Sequence, residues 1–358
     1  MSATPGNRIA SLDGLRAVSI ALVVLAHLAG TKNFFSRASI LGPAGDIGNL
    51  GVRVFFVISG YLITTLLLEE LGKHGRISLT TFYLRRTLRI FPAFYVFVIA
   101  IAGLERMGVI SLTRLDLLHA ITYTSNYYPE RSWYFGHLWS LSVEEQFYLC
   151  WPLAMVLLGR RGALAGAAGV IFCAPLARLG TWYLLSSHRQ GMGEEFQTIA
   201  DALATGCLLA GAREWAWRRQ DYKRLLLSRW FVLVPVLVWS INRQPFVLPR
   251  WLVGETLINI GIALIIDRVI RVPNDLVGRF LNWRLVVWVG VLSYSLYLWQ
   301  QLFLNRSSTS MLTSFPWNLM LALAAATLSY YLVEKPFLRL RRYLEFHWQR
   351  VRTVGVTA

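Results

Sequence analysis

Charge is scarce in this chain. Lys, Arg, Asp and Glu together make up only 15% of 358 residues, too little to cover the surface of a soluble protein of this length. Acidic residues are the scarcer sign, 19 against 36 basic ones, for a formal net charge of +17. A nucleic-acid partner does not follow from that excess, because the basic residues sit between apolar runs. They read as topology determinants, and no nucleic-acid partner is expected. Cysteine is scarce as well. Cys150, Cys173 and Cys207 lie in or beside apolar stretches without metal-ligand spacing, so they read as buried structural thiols and no metal is expected. No internal repeat, low-complexity tract or sizeable polar appendage is visible. The first apolar run lacks a small-residue cleavage site, so it is expected to stay as a first span rather than leave as a signal peptide.

Apolar residues dominate instead, at 55%, with a mean hydropathy of +0.48. They cluster in runs such as WFVLVPVLVW (230–239) and LMLALAAATLSYYLV (319–333). A bilayer span needs about 20 mostly apolar residues, so the fold class expected is an all-α polytopic membrane protein. Ten spans are expected, near 12–30, 48–68, 88–106, 138–158, 163–185, 196–212, 229–242, 252–270, 285–304 and 317–335. With the amino terminus in the cytoplasm, the inside segments hold 25 of the 36 basic residues, which favours both termini inside. Residues 1–358 read as one membrane domain, with a core over 8–340 and a short basic tail over 341–358.

Ionisable residues inside such runs are costly and commonly mark a pathway or a reaction. RAVSIALVVLAH (16–27) carries Arg16 and His27 on one helical face, separated by about 17 Å of rise. Arg16 then lies near the cytoplasmic headgroups and His27 beyond mid-membrane. A snorkelling anchor for Arg16 and an interfacial position for His27 are the plainer alternatives. Further polar residues fall into the same two layers. VRVFFVISGYLITT (52–65) contributes Arg53, Ser59 and Gly60, and HLWSLSVEEQFYLCWPL (137–153) contributes Ser142, Glu144 and Glu145. Asp201 lies in the outer half of the sixth span, Arg85, Arg86 and Arg89 precede the third, and Glu334 closes the tenth. Plainer roles exist for these as well. Ser142 and Glu145 have capping-box spacing, Arg86 and Arg89 fit an ordinary basic loop, Asp201 fits a pair with Arg178 or Arg53, and Gly60 fits close helix packing.

Seven segments together resemble the acyltransferase-3 family of integral membrane acyltransferases. They are LDGLRAVSIALVVLAH, GVRVFFVISGYLI, FYLRRTLRIFPAFY, HLWSLSVEEQFYLCWPL, ADALATGCLLA, LSYSLYLW and EKPF, in the family's order over residues 11–337. The resemblance implies about ten helices and transfer of an acyl group, usually acetyl, from cytoplasmic acyl-coenzyme A to a hydroxyl of a cell-surface or exported glycan, in a bacterial inner membrane. It carries Arg16 and His27 over as the family's Arg–His pair, together with the FFVISG segment and Arg86–Arg89. Many relatives have histidine after SYSLYLW, where this chain has Gln300. No segment matches the esterase-like domain fused to longer members, so the membrane domain is expected to handle the acceptor alone.

The two layers suggest a division of labour. Arginines suit the phosphates of acyl-coenzyme A at the inner face, which assigns Arg86, Arg89 and Arg16 to the donor. His27 suits proton removal from a hydroxyl, and Glu144 is the carboxylate expected to orient it. An acyl-histidine relay fits the same layout. The aromatic segment TYTSNYYPERSWYFGH (122–137) suits either a sugar platform or an interfacial belt. The expected partners are a glycan or lipid-linked oligosaccharide acceptor and membrane lipid. Acylation of a macrolide or a lipid, and a proton-coupled transporter or flippase, are the rival readings.

Overall fold

The computed structural model describes residues 9–34, 44–185, 189, 191–244, 246 and 249–354. Arg8 and Arg37, both counted in the charge balance, and positions 355–358 of the expected tail lie outside the described residues. Among the described residues the structure is helical and contains no strand. The helices are α1 (Ala10–Leu28), α2 (Ala44–His74), α3 (Leu79–Arg106), α4 (Arg114–Ile121), α5 (Leu138–Leu157), α6 (Gly159–Leu184) and α7 (Phe196–Trp217). They continue with α8 (Gln220–Leu227), α9 (Leu233–Asn242), α10 (Glu255–Arg271), α11 (Leu276–Leu281), α12 (Arg284–Phe303), α13 (Trp317–Ser329) and α14 (Lys335–Val354). One π-helical turn, Arg250–Gly254, leads into α10, and another, Tyr330–Glu334, joins α13 to α14.

Each of the ten expected segments holds a helix. Five helices are long and apolar enough to cross a membrane: α1, α2 over Ile47–His74, α3, α6 and α12. A sixth span results if α8 and Arg229–Asn242, which meet at 68°, count as one broken crossing. The other segments differ for a physical reason. Helices α9, α10 and α13 have 10, 17 and 13 residues, short of the roughly 20 a bilayer requires. Helices α5 and α7 have 20 and 22 residues but carry polar groups such as Glu144, Glu145 and Asp201 among their apolar ones.

The core forms around α1, which packs between α2 and α12, while α2 also packs against α7. Small residues allow the closest of these approaches. A Cβ on Gly60 would overlap the carbonyl of Leu203, and one on Gly206 would overlap that of Val57, so α2 and α7 meet through reciprocal glycines. Gly60 therefore has the packing role that its plainer reading gave it. Between α6, α7 and α10, buried Arg178 pairs with Asp201 and donates to the carbonyl of Thr198 at 2.7 Å. Arg53 pairs with Glu255 at 2.7 Å and donates to Asn259 at 3.1 Å. Asp201 thus finds its pair in Arg178, and both ion pairs satisfy charges that the apolar bundle would otherwise leave exposed to hydrocarbon.

Two smaller expectations change. Cys207 is buried, but Cys150 and Cys173 are exposed on the outer faces of their helices. Helix α5 begins at Leu138, and Ser142 Oγ donates back to the carbonyl of Leu138 at 3.0 Å. Ser142 and Glu145 thus lie a full turn inside the helix, and no capping box forms between them.

Candidate functional site

A cavity of about 400 Å³ opens where the carboxyl end of α1 meets the start of α5, the last turns of α12 and the connecting loops. His27, His137, Tyr297 and Gln301 line it, with Trp133 and Arg306. His27 sits in the last turn of α1, because α1 starts at Ala10 and runs unbroken through eleven largely apolar positions after Arg16. Its Nδ1 meets Gln300 Oε1 at 2.9 Å. A carboxamide oxygen only accepts, so Nδ1 carries the proton and Nε2 keeps its lone pair. The Trp133 ring lies edge-on to the imidazole, 5.7 Å between centroids. Arg306 reaches over Trp133, with its guanidinium 5.7 Å from the ring centroid, and donates to the carbonyls of Ala26 and His27 at the free end of α1.

Loops form the outer wall. Trp133 Nε1 donates to the Gln301 carbonyl at 2.9 Å, and Gln301 Nε2 donates back to the Trp133 carbonyl at 2.5 Å. Arg131 pairs with Glu194 and donates to the carbonyls of Gly136, Tyr128 and Ser125 at 2.8, 3.0 and 3.3 Å. Asp116 accepts from the Ser132 amide at 2.6 Å, and Gln146 donates to the Tyr123 carbonyl at 3.0 Å. Tyr123 has a positive φ of 53°, an uncommon conformation for a bulky residue, and stacks on Phe94 at 4.4 Å and Phe91 at 5.7 Å. Residues 122–137 are therefore an ordered segment that contributes to the wall of the cavity. Burial raises the Glu194 carboxyl above its ordinary pKa, against the opposing pull of Arg131.

A second centre lies toward the other end of α1. Arg16 is within electrostatic reach of Arg89, Asp13, Tyr148 and Glu144. Arg86 lies 5.2 Å from the Tyr148 ring centroid and 5.7 Å from that of Phe82. Glu144 accepts from Ser59 Oγ at 2.6 Å, and Tyr148 donates to Ser59 Oγ at 3.2 Å. Among the described residues neither Arg86 nor Arg89 forms an ion pair, whereas Arg85 pairs with Glu345 of α14 at 2.9 Å. The basic stretch after residue 341 is thus helical and docks on α3. Glu334 accepts from Ser295 Oγ at 3.0 Å.

The structure brings Arg16, Arg86, Arg89, Ser59, Glu144 and Glu145 to this second centre and leaves Arg53, Asp201 and Glu334 in separate buried pairs. The expected pairing of His27 with Glu144 does not form. Glu144 lies seven residues beyond His137 along α5, about 10 Å deeper by helical rise, and its partner is Ser59. Gln300 takes the position beside His27 instead. His137 is missing from the sequence-based candidates, although the motif that supplied Glu144 begins with it.

Comparison with known proteins adds to this geometry. A family model described as an acyltransferase domain matches residues 9–356. A putative peptidoglycan O-acetyltransferase of Bacillus subtilis, YrhL, is 28% identical over 92% of this chain and 54% of its own length. The O-acetyltransferase OatA of Staphylococcus aureus is 30% identical over 80% of this chain and 49% of its own length. The chain thus spans about half the length of the curated relatives it matches. No solved structure matches it.

Proposed function

The chain belongs to the acyltransferase-domain family, and on that premise we propose that it is a membrane O-acetyltransferase acting on a hydroxyl of a cell-wall or exported glycan. The observation that carries this reading is the imidazole of His27, held by Gln300 with Nε2 free at the edge of an open cavity. That arrangement suits a general base. The relatives' names point to peptidoglycan as the acceptor class. The cavity's mix of tryptophan, tyrosine, carboxamide and charged groups suits a sugar, which offers hydroxyls on its rim and C–H faces to aromatic rings.

The donor is an acetyl thioester of coenzyme A that approaches from the cytoplasm. Arg16, Arg86 and Arg89 gather cationic charge that the protein leaves unpaired at Arg86 and Arg89, and forked guanidiniums fit phosphate oxygens. The thioester then reaches toward His27, past the level of Ser59, Glu144 and Tyr148. His27 Nε2 takes the acceptor's hydroxyl proton while the oxygen attacks the acyl carbon. Gln300 holds the ring in the competent tautomer and stabilises the imidazolium through the same hydrogen bond. The enzyme works in a bacterial inner membrane with ten crossings, the short helices completing partial spans, and with both termini in the cytoplasm. The concentration of basic residues in alternate loops supports that orientation.

Two measurements test this reading. Purified full-length protein in lipid nanodiscs, given radiolabelled acetyl-coenzyme A and peptidoglycan fragments or surface glycan, should transfer label into base-labile ester. No transfer to any hydroxyl acceptor would defeat it. For topology, Thr80→Cys and Glu130→Cys, each in a background free of native cysteine, should react from opposite sides of intact cells, with only position 130 open to an impermeant reagent from outside.

A further inference from the structure

His137 precedes the first turn of α5 and is only 3% exposed, yet its ring makes no hydrogen bond. Neither Nδ1 nor Nε2 has a partner of acceptable geometry. The Gln301 side chain and the Leu298 backbone lie within electrostatic reach of the ring but outside hydrogen-bond geometry, and Gln301 Oε1 is itself without a partner. Buried polar groups are overwhelmingly paired, so two bare ring nitrogens on one residue call for an explanation. The other histidine of the cap region shows the ordinary solution, since His119 meets Thr124 Oγ1 at 2.8 Å.

The ring of His137 is not loosely placed. Tyr297 lies against it at 5.2 Å between centroids and Phe97 at 5.5 Å, both edge-on. Tyr297 also donates its hydroxyl to the His137 carbonyl at 2.9 Å, which fixes the backbone. Gly136, immediately before it, lies so close to the Gln301 amide that a Cβ there would overlap it. A locked imidazole without a partner therefore borders the same cavity as His27. In either neutral tautomer it presents one N–H.

We propose that His137 is a second catalytic residue, whose N–H binds the carbonyl oxygen of the acyl group and stabilises the oxyanion that forms there. The assignment rests on the acyl-transfer reading above. As the acceptor oxygen bonds to the acyl carbon, its proton passes to His27 Nε2 and the carbonyl π pair moves onto oxygen, facing His137. On collapse the carbonyl reforms, the carbon–sulfur bond breaks, and the departing thiolate takes the proton from His27. Both histidines end as they began. A neutral imidazole in apolar surroundings is suited to polarising a carbonyl, and a donor without a ground-state partner needs no rearrangement when negative charge develops.

The test is acetyl transfer by His137→Phe and His137→Gln proteins in nanodiscs, beside wild type. Loss of one oxyanion donor typically lowers kcat by about 10²–10³-fold. His137→Phe should fall by that factor, with the donor KM and the thermal midpoint close to wild type. His137→Gln restores an N–H and should recover at least tenfold of the loss. A fluoroacetyl thioester, whose carbonyl is already polarised, should shrink the gap between His137→Phe and wild type. A His137→Phe enzyme with wild-type kcat overturns the assignment. So does an equal loss in both variants that the fluoroacetyl donor leaves unchanged, because that pattern marks a purely structural residue. If His137→Phe does not fold, the same donor comparison on His137→Gln decides. Absence of transfer by wild type would instead defeat the acyl-transfer reading, and this assignment with it.

Discussion

At the His27 end of α1 directed hydrogen bonds fix the groups around the bare ring of His137, whereas at the Arg16 end cations gather with few partners. Gln300 holds His27, Arg306 grips the end of its helix, and Trp133 and Gln301 clasp one another across the cavity wall. Toward the other end, Arg86 rests on aromatic faces and Arg16 has only a 3.8 Å contact with Asp13. The contrast separates two demands on one bundle. Moving a proton requires an atom placed to within a fraction of an ångström. Holding phosphates requires accumulated charge, which tolerates looser geometry. On the proposed function a single helix can serve both, because eleven residues of rise keep the two demands apart.

The comparison breaks most decisively at His27. Removing a general base costs about 10²–10⁴-fold in rate. His27→Ala should therefore lose that much acetyl transfer in membranes matched for protein, with unaltered donor affinity. A variant that retains near-normal turnover would strip the outer centre of its chemical role.

Arg86→Ala should show the opposite signature. Loss of a charge-assisted hydrogen bond is worth about 1.5–3 kcal/mol, which predicts a donor KM raised roughly tenfold to a hundredfold and a kcat changed far less. Steady-state kinetics with varied acetyl-coenzyme A separates the two parameters. Equal effects of His27→Ala and Arg86→Ala on kcat would erase the distinction between the centres.

The orienting role of Gln300 predicts a smaller effect. Gln300→Leu removes one neutral hydrogen bond, worth about 1 kcal/mol, so kcat should fall about fivefold with KM unchanged. Gln300→His should keep most activity, because an imidazole nitrogen can accept from Nδ1. A Gln300→Leu enzyme with wild-type kcat would leave His27 oriented by the bundle alone.

Gly60 lies in neither centre and sharpens the comparison as a control. Gly60→Ala forces α2 and α7 apart, and overpacking of this kind costs about 1–3 kcal/mol. The thermal midpoint in detergent should drop, while the folded fraction keeps the donor KM of wild type. A shifted KM would mean that the α2–α7 contact shapes the inner centre.

The helices were readable because apolar runs and their basic boundaries are local properties. Arg16 and His27 stood out for the same reason: two polar groups in one oily run need no knowledge of neighbours to be noticed. Partnership was not readable. Gln300 lies 273 positions from His27 in sequence, and only the packing of α12 on α1 brings them together. Glu144 looked like the orienting carboxylate because charge draws attention, yet depth along α5 assigns it to Ser59. His137 was passed over because it reads as the polar residue before a helix. The signal that points to it is its position at the head of the segment that also supplies Glu144.

The walls of the cavity come from two kinds of backbone. His27, Gln300 and Tyr297 belong to α1 and α12, whereas Trp133, Glu194 and Arg306 belong to the connections between helices. Those loops are tied mainly to one another and to helix ends, through Arg131, Asp116 and Arg306. The construction is modular in the manner of a tool with interchangeable jaws. On the proposed function, exchanging 122–132 or 307–316 for segments of other sequence would recut the mouth while His27, His137 and Gln300 stay in place, so acceptor preference and transfer chemistry can diversify on separate schedules.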